Sequence, residues 1–237
     1  MKHAFSFGDK SIEAAVNKVN SVQRVAMIGA GTMGQGIALD LLTKSRCELV
    51  LLDISEQALQ RARKRFEGYF AKQVATSRLR QEDADALAAR VEYANDFAKL
   101  HDADLIWEVA TERSEIKASI FQSIEQHADA ERLLAVFSNT SSHTSEELAE
   151  LFQTQAYREK FLTVHGYFPF ESNRLIDVMK GKYASEAVFM FGVVFADQIL
   201  EKTVIALPID HHGYITDPIF QAMGAIISWD VQHARDI

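Results

Sequence analysis

Six short apolar runs, most of them followed by a stretch with helical spacing, constrain this chain more than any other feature. They are Val25-Ala26-Met27-Ile28, Glu48 to Leu52, Asp104 to Trp107, Leu133 to Phe137, Phe161 to Val164 and Val204 to Leu207. Runs that are apolar almost throughout, rather than alternating, suit strands covered on both faces, the pattern of a parallel sheet sandwiched between helices. Two of the intervening stretches, Glu56 to Ala75 and Arg113 to His127, are long enough for helices that cross back over such a sheet. The expected architecture is α/β: a doubly wound, mostly parallel sheet over residues 21–212. A leader of residues 1–20 precedes it, with a helix expected at Ser11–Val19. A C-terminal helix follows within residues 213–237, where Pro218 suits the first turn and Ile219, Phe220, Met223, Ile226, Ile227 and Val231 share one face. That apolar face, over residues 218–231, is expected to meet a second copy of the chain and form a homodimer.

Charge and cysteine content narrow the partners. With 25 basic and 33 acidic residues the formal charge is −8, which leaves no general electrostatic basis for binding nucleic acid. The single cysteine, Cys47, has no partner for an intramolecular disulfide and is expected as a small buried hydrophobe, which fits a reducing compartment. No run approaches the roughly 20 apolar residues of a spanning helix, and Met1 to Asp9 lacks a signal-peptide core. A cytoplasmic location, no membrane and no metal are expected.

Gly29-Ala30-Gly31-Thr32-Met33-Gly34 follows the first apolar run directly and opens a helical pattern. In a dinucleotide-binding Rossmann domain Gly29 permits the tight turn, Gly31 lets backbone approach a pyrophosphate and Gly34 lets the helix pack closely on the strand. Thr32 and Met33 then supply amides at the positive end of the helix dipole. Asp53 ends the second run, 24 residues after Gly29, where a carboxylate binds ribose hydroxyls. It would repel a 2′-phosphate, and neither Ile54 nor Ser55 offers a compensating arginine. NAD is therefore expected in preference to NADP. The basic cluster Arg61, Arg63, Lys64 and Arg65 is expected to be a solvated helix face.

The series Val25 to Gly34, then Asp104-Leu105-Ile106-Trp107-Glu108, then Ser138-Asn139-Thr140-Ser141-Ser142, resembles the N-terminal domain of 3-hydroxyacyl-CoA dehydrogenases. Phe161 to Pro169 resembles that family's histidine motif, and the likeness runs from about Gln23 to Gly213. The resemblance implies an NAD-dependent enzyme of fatty acid metabolism that interconverts 3-hydroxyacyl and 3-oxoacyl groups. It implies that His165 is the catalytic acid/base, and that Asp177, one methylene shorter than the family's glutamate, orients it. It further implies that Ser141 lies near nicotinamide and the substrate carbonyl, and that Glu112 and Lys117 line the cofactor. Read without the resemblance, Ser141 could cap a helix starting near Thr144, and Glu112 and Lys117 could be a surface pair.

Departures from the family pattern leave two other readings open. Phe168 replaces an asparagine of the histidine motif, and Asp217 stands where an asparagine polarises the carbonyl, so an oxyanion donor has become an acid. Tyr69 and Thr76 occupy the positions of the serine and lysine that hold CoA, and little remains beyond the first helix of the family's helical C-terminal domain. One alternative is a non-catalytic NAD-binding partner subunit or interaction module. The other is a reductase of small non-thioester 3-keto acids or diketones, with Phe168 as an apolar wall.

Overall fold

A computed structural model describes residues 9–209. In chain order the elements are α1 (Asp9–Asn20), β1 (Arg24–Ile28), α2 (Thr32–Lys44), β2 (Glu48–Leu52), α3 (Glu56–Ala75), α4 (Gln81–Ala89) and β3 (Val91–Ala94). They continue with β4 (Leu105–Glu108), α5 (Ser114–His127), β5 (Ala135–Ser138), α6 (Ser145–Ala149), α7 (Gln155–Arg158) and β6 (Phe161–Gly166). Last come β7 (Leu175–Met179), α8 (Glu186–Val194) and β8 (Thr203–Leu207).

The strands form one eight-stranded sheet in the order β3-β2-β1-β4-β5-β6-β7-β8. Pairing is parallel except between β6 and β7, which are antiparallel. The chain winds outward from β1 to β3 and then returns to the other side of β1 as β4. In open α/β sheets such a reversal opens a crevice at the carboxyl ends of the strands, where ligands bind.

The apolar runs are continuous because successive side chains enter two separate cores. Val25, Met27, Leu49, Leu51, Leu105 and Trp107 pack beneath α2, α3 and α8, whereas Ala26, Ile28, Val50, Leu52 and Ile106 pack with Phe121 and Ile124 of α5. Helix α8 carries Phe189, Phe191 and Val193, all buried, so it is apolar on nearly every side and lies inside the fold. Helix α1 lays Ala15 and Val19 against α8, so residues 9–20 pack onto the domain. Cys47 is buried, its thiol donating to the Val22 carbonyl at 3.3 Å. Burial raises its pKa, consistent with an inert thiol.

Two strands lie outside the six apolar runs. β3 reads Val-Glu-Tyr-Ala and is only half covered at the sheet edge, so polar side chains break its pattern. β7 carries Asp177 at its centre, fully buried. An acid inside an apolar run hides a strand from periodicity. Among the described residues no helix is long and apolar enough to cross a membrane. The expected helix of residues 218–231 and Asp217 lie outside the described residues.

Candidate functional site

The glycine loop closes against the end of β4. Gly29 has φ +112°, and a Cβ there would lie 2.6 Å from the Val109 carbonyl oxygen, so only glycine fits without displacing backbone. A Cβ on Gly34 would lie 1.9 Å from the Gly29 oxygen, which shows how tightly α2 packs onto the loop. Gly31, the N-cap of α2, is different: nothing lies within 4 Å of the point where its Cβ would stand. It also offers no side chain to the first amides of α2. The result is an open cradle of N–H groups at a helix N-terminus, suited to phosphate oxygens.

Asp53, at the end of β2, accepts a hydrogen bond from the Ala30 amide on Oδ2 and from the Ser55 amide on Oδ1, both at 2.8 Å. These bonds fix the carboxylate beside the loop, and each oxygen retains a second lone pair for a ribose hydroxyl. Ser55 then caps α3, accepting from the Ala58 amide at 3.2 Å.

Beside the loop, a cavity of about 330 Å³ opens at the carboxyl ends of β4, β5 and β6. Its walls include Met33, Val109, Glu112, Ser141, His165, Tyr167 and Phe168. His165 is on β6, 7% exposed, and pairs in register with Asp177 on antiparallel β7. Residues paired in this way project from the same face of a sheet. The Tyr167 hydroxyl donates to Asp177 Oδ2 at 2.5 Å, and the Tyr167 ring meets the His165 ring edge-on at 4.7 Å between centroids. Asn139 Oδ1 accepts the Gly166 amide at 2.8 Å, tying the end of β5 to that of β6.

Glu112 reaches the cavity from the loop before α5. It accepts the Thr140 hydroxyl at 2.7 Å and the Ser141 amide at 3.2 Å, which sets the loop after β5. Lys117 lies behind it, 1% exposed, with Nζ 2.9 and 3.0 Å from the two Glu108 oxygens and 3.5 Å from Glu112. Glu108 is itself fully buried and accepts the Ser138 hydroxyl at 2.5 Å and the Ala110 amide at 2.8 Å. Glu112 and Lys117 are thus not a surface pair, and only Glu112 is in the cavity wall. Ser141 is not a helix cap either. Thr144 caps α6 in a reciprocal box, its Oγ1 accepting the Glu147 amide and Glu147 accepting the Thr144 amide.

Three site residues had no expected role. Glu108 anchors the buried network, and its sequence signal was its place at the end of the Asp104 to Glu108 series, with no role attached to it. Asn139 was visible merely as part of a polar tract. Tyr167 lies one residue past the end of β6, and its partner Asp177 is identifiable only once β7 is known. The basic cluster on α3 is mostly exposed; Arg63 lies over the Tyr93 ring at 4.4 Å, and Arg65 pairs with Glu171.

The sheet order, the glycine cradle and the Asp53 carboxylate fixed beside it define a Rossmann-type dinucleotide-binding domain. The model of the 3-hydroxyacyl-CoA dehydrogenase NAD-binding domain matches residues 24–210, and the chain belongs to that family, with NAD as the cofactor of the domain. A Caenorhabditis elegans protein described as a probable 3-hydroxyacyl-CoA dehydrogenase is 28% identical over 204 residues, covering 84% of this chain and 66% of that protein. The chain therefore spans just under two thirds of that relative's length. The crystal structure of FadB2 from M. tuberculosis superposes with a TM-score of 0.81 at 22% identity, over 90% of this chain and 73% of that one. The (S)-3-hydroxybutyryl-CoA dehydrogenase PaaH1 of Ralstonia eutropha gives 0.75 at 25% identity, over 86% and 69%.

The cradle and Asp53 fit NAD. At saturating concentration NADH is expected to raise the melting temperature, since ligand at a hundred times its Kd adds about 2.7 kcal/mol. NADPH is expected to do so far less, and Asp53→Ala to narrow the difference. Equal shifts by the two nucleotides with the unaltered protein would show that Asp53 does not face the 2′ position.

Proposed function

We propose that this protein is an NAD-dependent oxidoreductase that interconverts 3-hydroxyacyl and 3-oxoacyl groups. The observation that carries the reading is the convergence of His165, Ser141 and Glu112 on one cavity beside the glycine loop, with a buried carboxylate in register across from the imidazole. The backbone amides of Thr32 and Met33 would hold the pyrophosphate and Asp53 the adenosine ribose, with Gly29, Gly31 and Gly34 shaping the approach. When bound, the cofactor would supply the hydride acceptor as NAD+ in oxidation and the hydride donor as NADH in reduction.

The remaining chemistry belongs to the chain. In oxidation His165 takes the proton from the substrate hydroxyl; in reduction it returns that proton to the carbonyl oxygen. An imidazole suits both directions because it titrates near neutrality. Asp177 orients the ring and stabilises its protonated form. Ser141, whose amide is held by Glu112, contacts the reacting oxygen. Glu112 and, behind it, Lys117 hold the wall that the nicotinamide would lie against.

Phe168, 65% exposed at the mouth of this cavity, gives specific support to a second reading. An apolar wall replaces an amide there, and Tyr69 and Thr76 provide no cation for the CoA phosphates. Small 3-keto acids or diketones are the substrates of that variant. NADH oxidation followed spectrophotometrically with acetoacetyl-CoA, free acetoacetate and a diketone tests both. We expect turnover of acetoacetyl-CoA. Turnover of the free compounds alone selects the second reading, and tight NADH binding with no turnover selects a non-catalytic NAD-binding module.

A further inference from the structure

We propose that Tyr167 is a positioning residue that fixes Asp177 against His165, replacing with a hydrogen bond the reach that a shorter acid lacks. This inference rests on the acid/base reading of His165 given above. Its basis is the geometry at the end of β6. Asp177 is placed opposite His165 by the antiparallel register, and Tyr167 follows directly after the last residue of β6. Tyr167 is brought to this pair by its own contacts. Tyr167 touches both of its neighbours there: its hydroxyl donates to Asp177 Oδ2 at 2.5 Å, and its ring stands edge-on to the imidazole at 78°, centroids 4.7 Å apart.

An aspartate has one methylene fewer than a glutamate with which to approach a cross-strand imidazole. A carboxylate that reaches less far must be held more firmly to keep its bearing. The phenol does this in two ways. A short O–H···O⁻ bond favours the charged form of the acid and restricts its rotation. The bulk of the ring beside the imidazole limits how far the histidine can swing away. Gly166, between them, supports the arrangement. A Cβ there would lie 2.2 Å from the Phe170 ring, so the backbone turns closely over that aromatic before Tyr167 enters the cavity wall. The titratable groups around the imidazole among the described residues are Tyr167 beside it, Asp177 in register with it and Glu112 across the cavity.

The test compares Tyr167→Phe, Asp177→Asn and the double variant Tyr167→Phe/Asp177→Glu in the full chain. The first readout is the proton NMR titration of the His165 imidazole without cofactor, assigned by its loss in a His165 variant. Asp177→Asn is expected to move its midpoint to lower pH, because an anion that favours the imidazolium is gone. Tyr167→Phe is expected to move it the same way, by less, as the carboxylate loosens. The double variant is expected to bring it back toward the unaltered protein, since the longer acid no longer needs the phenol. The second readout is turnover: a misplaced acid/base pair lowers kcat by about tenfold to a hundredfold, with KM within about twofold, and the longer acid restores most of it. A Tyr167→Phe titration that coincides with the unaltered protein while Asp177→Asn shifts would overturn the proposal, as would failure of the glutamate to rescue. An unmoved midpoint in Asp177→Asn would instead remove the His165–Asp177 pairing, and with it the acid/base reading on which the proposal depends.

Discussion

Replacing Lys117 with methionine is expected to lower the melting temperature by roughly 6–20 °C, as a loss of about 3–5 kcal/mol at about 2–4 °C per kcal/mol. Methionine matches the lysine stem in volume, so packing is preserved and the loss is electrostatic. Both charges are out of water, Lys117 at 1% and Glu108 at 0% exposure. Removing the ammonium leaves the Glu108 carboxylate with the Ser138 hydroxyl and the Ala110 amide as its remaining donors. Two neutral donors do not replace a cation in a low-dielectric setting. The pair itself need not stabilise the fold, because burying it carried a desolvation cost. Neutralising both partners tests this: Glu108→Gln combined with Lys117→Met is expected to recover more than half of the lost stability. A single variant melting within about 2 °C of the unaltered protein, on the same scale, would show that water reaches Glu108. Calorimetry on the four proteins of the cycle supplies the coupling energy.

The same network illustrates what the sequence could and could not reveal. The sheet was legible because its inner strands are buried on two faces: Ala26 and Val25 both vanish from solvent, though into different cores. That produces runs without alternation, which are easy to find. β3 and β7 were not legible for opposite reasons. β3 is an edge whose solvent side is polar, and β7 is interior but carries an acid where a valine would have completed the pattern. The glycine loop was legible because two of its three glycines, Gly29 and Gly34, answer a local steric demand and would collide with backbone if they carried a Cβ, while Gly31 leaves the start of α2 open. Asp53 was readable from its distance along the chain. The wall of the cavity was not, since it is built by contacts between elements far apart in sequence. Glu112 is one example: it holds the loop after β5 through Thr140 and Ser141, 28 and 29 residues away. Lys117 is another, because five residues of spacing put it near Glu112 while only the fold shows that Glu108 holds its ammonium. Tyr167 stayed unread because its hydroxyl acts through a strand that periodicity had missed.

His165→Gln is expected to reduce kcat by about 10²–10⁴-fold, the usual contribution of one positioned acid/base. Glutamine keeps a polar side chain of similar length on β6 but transfers no proton near neutrality. The nucleotide should still bind: the Gly31 cradle and the Asp53 carboxylate lie at the ends of β1 and β2, and neither depends on β6. Unchanged thermal stabilisation by NADH therefore separates a lost proton transfer from a collapsed pocket. The pH profile provides a further check. Oxidation requires the neutral imidazole, so in the unaltered protein its rate falls as pH drops through the imidazole's titration. Reduction requires the imidazolium, so its rate falls as pH rises through the same range. The glutamine variant should lose both limbs and retain only the weak catalysis that holding two reactants together provides. A variant that keeps more than about a tenth of the original kcat, or the same pair of limbs, would mean that the proton is carried by another group. Glu112 is then the group to replace next, since it is a carboxylate that lines the same cavity as His165.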